Sequence, residues 1–171
     1  MSHITLGTTT VRDIECVRAA AERLGLRLEK RSNYRWYGRY VGDTALPAGL
    51  RAEDMGRNAE YVLTPTAEAC KKHKIDPNQV YEIGLIPHPE RPGEYLLAYD
   101  YWRGGFGIEK LVGERVVENG NETVAPLLLM HYQMQQDAMI AQALGDQIQF
   151  EEQPDGSWVS ITVPNPDRLR S

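Results

Sequence analysis

The sequence predicts an α+β fold: an antiparallel sheet of hairpins with two main helices packed on one face. Two observations carry that prediction. Strand-like runs, with period-two alternation or dense aromatic and β-branched content, follow one another in pairs joined by turn residues. Helical spacing of three and four is sustained in only two long stretches, and helices sparse among hairpins indicate α+β architecture.

Residues 3–7 read as a strand leading to a helix start. Thr10 and Asp13 have capping-box spacing, with Asp in the place of Glu. Asp13 and Glu15 suit the positive end of the helix dipole, Arg18 and Arg23 the negative end. Ile14, Val17, Ala21 and Leu24 make one buried stripe, Cys16 faces the core, and Gly25 is an αL terminator. Leu26 and Leu28 alternate with Arg27 and Glu29 as a strand. The run RSNYRWYGRYVGD, 31–43, alternates too, with Tyr34, Trp36 and Tyr40 on one face and Arg35, Tyr37 and Arg39 on the other. Residues 43–58, with Pro47, Gly49 and Gly56, form a loop with one helical turn. A strand at 59–63 follows, then a short helix at 66–72 capped by Thr64 with Pro65 at its first position.

Two further strands, 81–86 and 95–102, are joined by PHPERPGE as a hairpin with a longer loop. The second runs through Tyr95, Tyr99, Asp100, Tyr101 and Trp102 into Gly104, Gly105 and Gly107, a turn whose φ values or close approach a Cβ would forbid. This motif is expected to be structural, packing Trp102 and Phe106 into the core, with Asp100 a candidate buried acid. The amphipathic segment 108–112 follows. Thr123 and Pro126 mark the longest helix, which reaches about 143, with Gly145 just beyond. Leu128, His131 or Tyr132, Gln135 and Met139 lie on one side, and Leu127, Met130, Met134 and Ala138 on the adjacent side. IQFEE and SWVSITV flank QPDG, a type I turn ending in an αL glycine, and 164–171 is a loose tail. The expectation is a single domain over 1–171. Stretches 1–63 and 79–163 follow a similar element order, 43–78 is a loop or insert, and the residues do not match as a repeat.

The 171 residues suffice for a buried core. A net charge of −5 and a pI near 5.4 weigh against phosphate-backbone binding as the main activity. No run approaches the roughly 20 apolar residues of a membrane helix, and MSHITLGTTT lacks the basic and apolar regions of a signal peptide. Cys16 and Cys70 are too few for a disulfide framework. A cytoplasmic protein without membrane association is expected.

Cys70 and His73 have ligand-pair spacing, with Asp76 and His88 as nearby candidates, but a structural zinc needs four ligands and one pair is visible; no metal is expected. Gly104, Gly105 and Gly107 stand where a phosphate-cradling loop would, without GxGxxG or GxxxxGK[ST] in register, so no cofactor is expected. His3, His73, His88 and His131 occupy unrelated contexts, no GxSxG frame is present, and Asp100 lacks a second carboxylate. His131 reads as a hydrogen-bonded histidine at a helix–sheet boundary. No catalytic residue is assigned, and the chain is not expected to be an enzyme.

Taken in order, MSHI, the RDIE helix start, YRWYGRYVG, AEYVL, YEIGL, YLLAYDYW with its glycine turn, a long helix and a closing DGS hairpin resemble the family called hypothetical chloroplast reading frame thirty-five. The resemblance spans nearly the whole chain. The chain departs from the family in the added 43–58 loop and in 64–78, which separates strands the family places close together. The resemblance implies an accessory role beside ATPases of the AAA+ class and supplies no catalytic residues.

The expected function is therefore a non-enzymatic interaction module, an adaptor or partner of an AAA+ ATPase. The alternative is a small nucleic-acid-binding protein using the 31–40 strand, where arginines interleaved with aromatics are the chemistry of single-strand binding. Candidate interaction residues are Arg35, Tyr37 and Arg39 on that strand, and Met130 and Met134 on the long helix, since methionines adapt to varied surfaces.

Overall fold

The computed structural model describes residues 4–38, 46 and 48–169. Its centre is one antiparallel sheet of β1 (Ile4–Val11), β2 (Leu26–Glu29), β3 (Tyr61–Pro65), β4 (Ile83–Pro87) and β5 (Tyr95–Asp100), in the order β1-β5-β4-β3-β2. Helix α1 (Ile14–Arg23) links β1 to β2, and α2 (Ala67–His73) follows β3. After β5 come α3 (Glu109–Val112), the hairpin β6 (Val116–Glu118) and β7 (Asn121–Thr123), the long helix α4 (Pro126–Leu144), and the hairpin β8 (Gln147–Glu152) and β9 (Trp158–Val163). The architecture is α+β, and both hairpins stand apart as two-stranded sheets.

Period two along the strands assigns the two faces of the central sheet. Leu28, Leu63, Ile83, Leu85, Leu97 and Tyr99 point to the helix side, where Val17, Ala20 and Ala21 of α1 and Leu128 and Tyr132 of α4 complete one core. Val62, Ile86, Leu96 and Ala98 point the other way, and Tyr34, Met55 and Ala59, with Trp36, Leu46 and Leu50, pack over them. Strands buried on both sides read as near-continuous apolar runs, which accounts for YLLAY and IGLI. Gly84 on β4 serves this packing directly: a Cβ there would lie 2.6 Å from the Tyr34 ring. The 43–78 stretch is thus no appendage. Its described part supplies β3, an interior strand of the sheet, and much of the cover over the second face.

Local chemistry moved several boundaries. Asp13, not Thr10, caps α1: its carboxylate accepts from the amides of Glu15 and Cys16 at 3.1 and 3.2 Å, while Thr10 lies in β1 and donates to Glu94 at 2.6 Å. Thr66 caps α2 by accepting from the Ala69 amide, and Pro65 ends β3 opposite Leu26. The 31–43 strand is corrected, because the described residues 31–38 pair with no strand and follow an irregular path. The β6–β7 hairpin lacked a sequence prediction although Asn119-Gly120 announces it: both residues have positive φ, 51° and 78°, as a type I′ turn requires. The tail is not loose at its start, since the Asn165 amide donates to Asp146 at 2.7 Å and Pro166–Leu169 closes a 3₁₀ turn.

Candidate interaction surface

Glu82, immediately before β4, is buried and organises the arginine-aromatic segment. Arg31 donates to both of its carboxylate oxygens, and the Arg35 amide donates to one of them at 2.7 Å. The Glu82 amide in turn donates to the Arg35 carbonyl at 2.9 Å. Burial alone would raise the Glu82 carboxyl, but the bonds from Arg31, Thr64 and the Arg35 amide outweigh it and hold the group below the ordinary glutamate range. Arg31 also binds Glu29 at 2.7 Å, and the Arg35 guanidinium donates to the Pro77 and Val80 carbonyls at 2.7 and 3.1 Å. The described arginines are therefore occupied by the protein itself. Tyr37 is 58% exposed, Tyr34 is core, and Arg39 lies outside the described residues.

The glycine motif forms a turn of unusual hand. Arg103, Gly104, Gly105 and Phe106 occupy the left-handed helical region in succession, with φ of 51°, 64°, 64° and 53°, a conformation that L-residues visit singly and at a cost of roughly 1–2 kcal/mol each. Both ends are clamped. Asp100, fully buried, accepts from the Trp102 amide at 3.0 Å, and the Tyr81 amide donates to the Gly105 carbonyl at 2.9 Å. Phe106 meets the Tyr81 ring edge-on at 5.0 Å, and Gly107 lies where a Cβ would come within 2.9 Å of Ile75. Trp102 departs from expectation: it is 38% exposed, because β5 ends at Asp100 and Trp102 already lies past the strand, beside the Arg103 guanidinium at 5.8 Å. Tyr99 takes the buried place instead, its hydroxyl donating to Glu109 at 2.7 Å. Tyr81 and Glu82 thus join the arginine segment to the glycine turn.

Helix α4 lies apart from both. Leu128 and Tyr132 enter the core, and the Tyr132 hydroxyl accepts from the amides of Arg12 and Asp13 at 3.0 and 3.2 Å, which docks α4 on the start of α1. Met134 is buried and Met130 half-buried, so neither heads an open patch. Exposure rises farther along, at Met139, Ile140 and Leu144, with Ile140 60% exposed. His131 also departs from expectation: its buried Nδ1 has no hydrogen-bond partner among the described residues, and burial, with Arg23 nearby, lowers its pKa.

Among the described residues no group of three or more His, Cys, Asp or Glu side chains could hold a metal. Cys70 is buried and its thiol is pushed up by burial. Cys16 is pushed up to about 11 by burial and by Asp13, which keeps it protonated and unreactive at neutral pH. A groove of about 420 Å³ runs between α1, α2 and α3, lined by Arg23, Lys72 and Lys110 but also by Glu22 and Glu68, so its charge is mixed. No helix among the described residues is long and apolar enough to cross a membrane. No family model, curated protein or solved structure matches the chain.

Proposed function

We propose that the chain is a non-enzymatic interaction module, an adaptor that receives a protein partner on the outer side of the C-terminal half of α4. The observation that carries this reading is the exposure of Ile140 and Leu144, one turn apart on a helix whose other side is already engaged by the core, where Met139 accepts from the Cys16 thiol at 3.2 Å. Contiguous apolar exposure on a folded surface marks an interaction site. The patch lies beyond Met130 and Met134, where the methionine pattern alone had directed attention. The resemblance to the hypothetical chloroplast reading frame thirty-five family points to an ATPase of the AAA+ class as the partner. Two free, buried cysteines are in keeping with a reducing, cytoplasmic setting.

The test compares the immobilised wild-type chain with an Ile140→Asp/Leu144→Asp variant in native lysate, with bound proteins quantified by mass spectrometry. An AAA+ ATPase retained by wild type and reduced at least tenfold by the variant, at unchanged circular dichroism, is the expected result. Equal retention by both, or recovery of nucleic acid that Arg35→Ala removes, would overturn the assignment in favour of the arginine segment.

A further inference from the structure

The β8–β9 hairpin divides its side chains in an unusual way. The cross-strand pairs Ile148–Thr162, Phe150–Ser160 and Glu152–Trp158 share one face, and the Ser160 hydroxyl bonds Asp137 of α4 at 3.1 Å, so that face is turned to the helix. The opposite face holds the pairs Gln147–Val163, Gln149–Ile161 and Glu151–Val159. On this outer face every apolar residue is on β9 and every polar one on β8. Val159, Ile161 and Val163 are exposed. Among the described residues β9 pairs only with β8, so its far edge presents unsatisfied backbone N–H and C=O groups. That edge carries none of the devices that keep strands apart: from Trp158 to Val163 it has no charge and no proline, and most of its residues are β-branched.

We infer that β9 pairs antiparallel with β9 of a second copy of this chain, about a two-fold axis through Ile161, to give a four-stranded sheet ordered β8-β9-β9-β8. In antiparallel strands directly opposed residues lie on the same face. Centring the pair on Ile161 therefore sets Ile161 against Ile161, and Val159 against Val163 twice. The two outer rows merge into one strip of six β-branched side chains, bordered on each side by Gln147, Gln149 and Glu151. No carboxylate meets another across the new seam, because Glu151 and Glu152 belong to the distal strand of each hairpin. The edge is complementary to itself in polarity and in its lack of charge, which is what an isologous two-fold contact uses. A strongly charged peptide would find no countercharge on β9. The axis stands normal to the sheet, so both α4 helices fall on the same face. A single strand pairing covers less than the roughly 800 Å² per partner of a standard interface, so micromolar dissociation is expected. The inference does not depend on the ATPase reading, and α4 residues Ile140 and Leu144 are not needed for the seam.

Sedimentation equilibrium on the full chain, from submicromolar to hundreds of micromolar, should show a monomer–dimer equilibrium that Ile161→Lys weakens at least tenfold. Ile161 is exposed in the monomer, so this variant should keep its urea midpoint. Register is read separately by cysteine cross-linking, since Cys16 and Cys70 are buried. Ile161→Cys should give a disulfide-linked dimer on mild oxidation, because directly opposed Cβ atoms come to about 4.5 Å, within a small adjustment of disulfide geometry. Val159→Cys, whose partner is Val163, should not. A monomer at every concentration, a dimer indifferent to Ile161→Lys, or equal cross-linking by the two cysteine variants would overturn the inference. Loss of the ATPase with Ile140→Asp/Leu144→Asp bears on the proposed function alone.

Discussion

β5 and β9 are two strands of six residues each with similar local chemistry and opposite fates. Leu96 to Asp100 on β5 are all buried, because β1 and β4 flank the strand and packed side chains cover both of its faces. Val159, Ile161 and Val163 on β9 stay exposed, because among the described residues β9 has one neighbouring strand and its outer face has no cover. Strand propensity reports fitness for a pleated surface and not burial itself. Burial is therefore concentrated in the central sheet, and the outer face of the C-terminal hairpin is left open to contacts.

The sharpest way to break that contrast is Leu97→Ala, which empties a fully buried site and should cost about 2–5 kcal/mol, set against Val159→Ala, which should stay within about 0.5 kcal/mol. Urea unfolding of the two variants, run at concentrations where the chain is monomeric, checks this; equal losses would mean that the hairpin shares the cooperative core. Gly105→Ala comes next. It adds a Cβ 2.3 Å from the Ile108 Cγ2 at a φ of 64°, and strain plus overpacking should cost about 3 kcal/mol. Gly104→Ala meets nothing closer than 3.9 Å and should cost about 1–2 kcal/mol. A reversal of that order in thermal unfolding would show that backbone strain is shared differently along the turn.

Glu82→Gln should cost about 1–3 kcal/mol, since it removes the buried charge that half-buried donors of Arg31 and Arg35 address. It should also change the pH response. A carboxyl held low in the folded chain contributes fully above its unfolded value of about 4.3, and that contribution is lost as pH falls through the depressed folded value. Wild type should lose part of its advantage over the variant on acidification below that point; a constant gap from neutral to acid pH would contradict this role of the Glu82 charge. The smallest aromatic effect is expected at Trp102→Ala, about 1 kcal/mol in the same unfolding assay, because the ring is already part-exposed.

Much of the fold was legible where one local signal dominated. The αL glycines after α1 and α4, the Pro126 helix start and the QPDG turn all lie where their chemistry placed them. Legibility failed where a tertiary partner decided. Alternation in 31–38 looked like a strand, but the odd and even side chains sort between the covered sheet face and solvent along a path pinned by Glu82, fifty residues away in sequence. Trp102 looked buried because it ends an apolar run, and the glycines signalled positive φ without showing that Arg103 and Phe106 share it. Asn119-Gly120 was a readable signal for β6–β7 that the short flanking strands concealed. The apolar patch on α4 was half legible: methionine content drew attention to the helix, but which turn stays uncovered depends on where the core ends.

The left-handed turn has a consequence in terms of chirality. From Arg103 to Phe106 the backbone traces the mirror image of an ordinary helical turn, so for four residues the chain behaves as polypeptide of the opposite hand. Glycine is the one achiral residue, and two of the four positions use it, while Arg103 and Phe106 carry the strain of being L. In a chain assembled by chemical synthesis, D-alanine at Gly104 would occupy its own preferred well at a φ of 64° and would narrow the unfolded ensemble, a gain of about 0.4–1 kcal/mol where L-alanine brings a loss. At that position the enantiomer, not the side chain, is what the fold distinguishes.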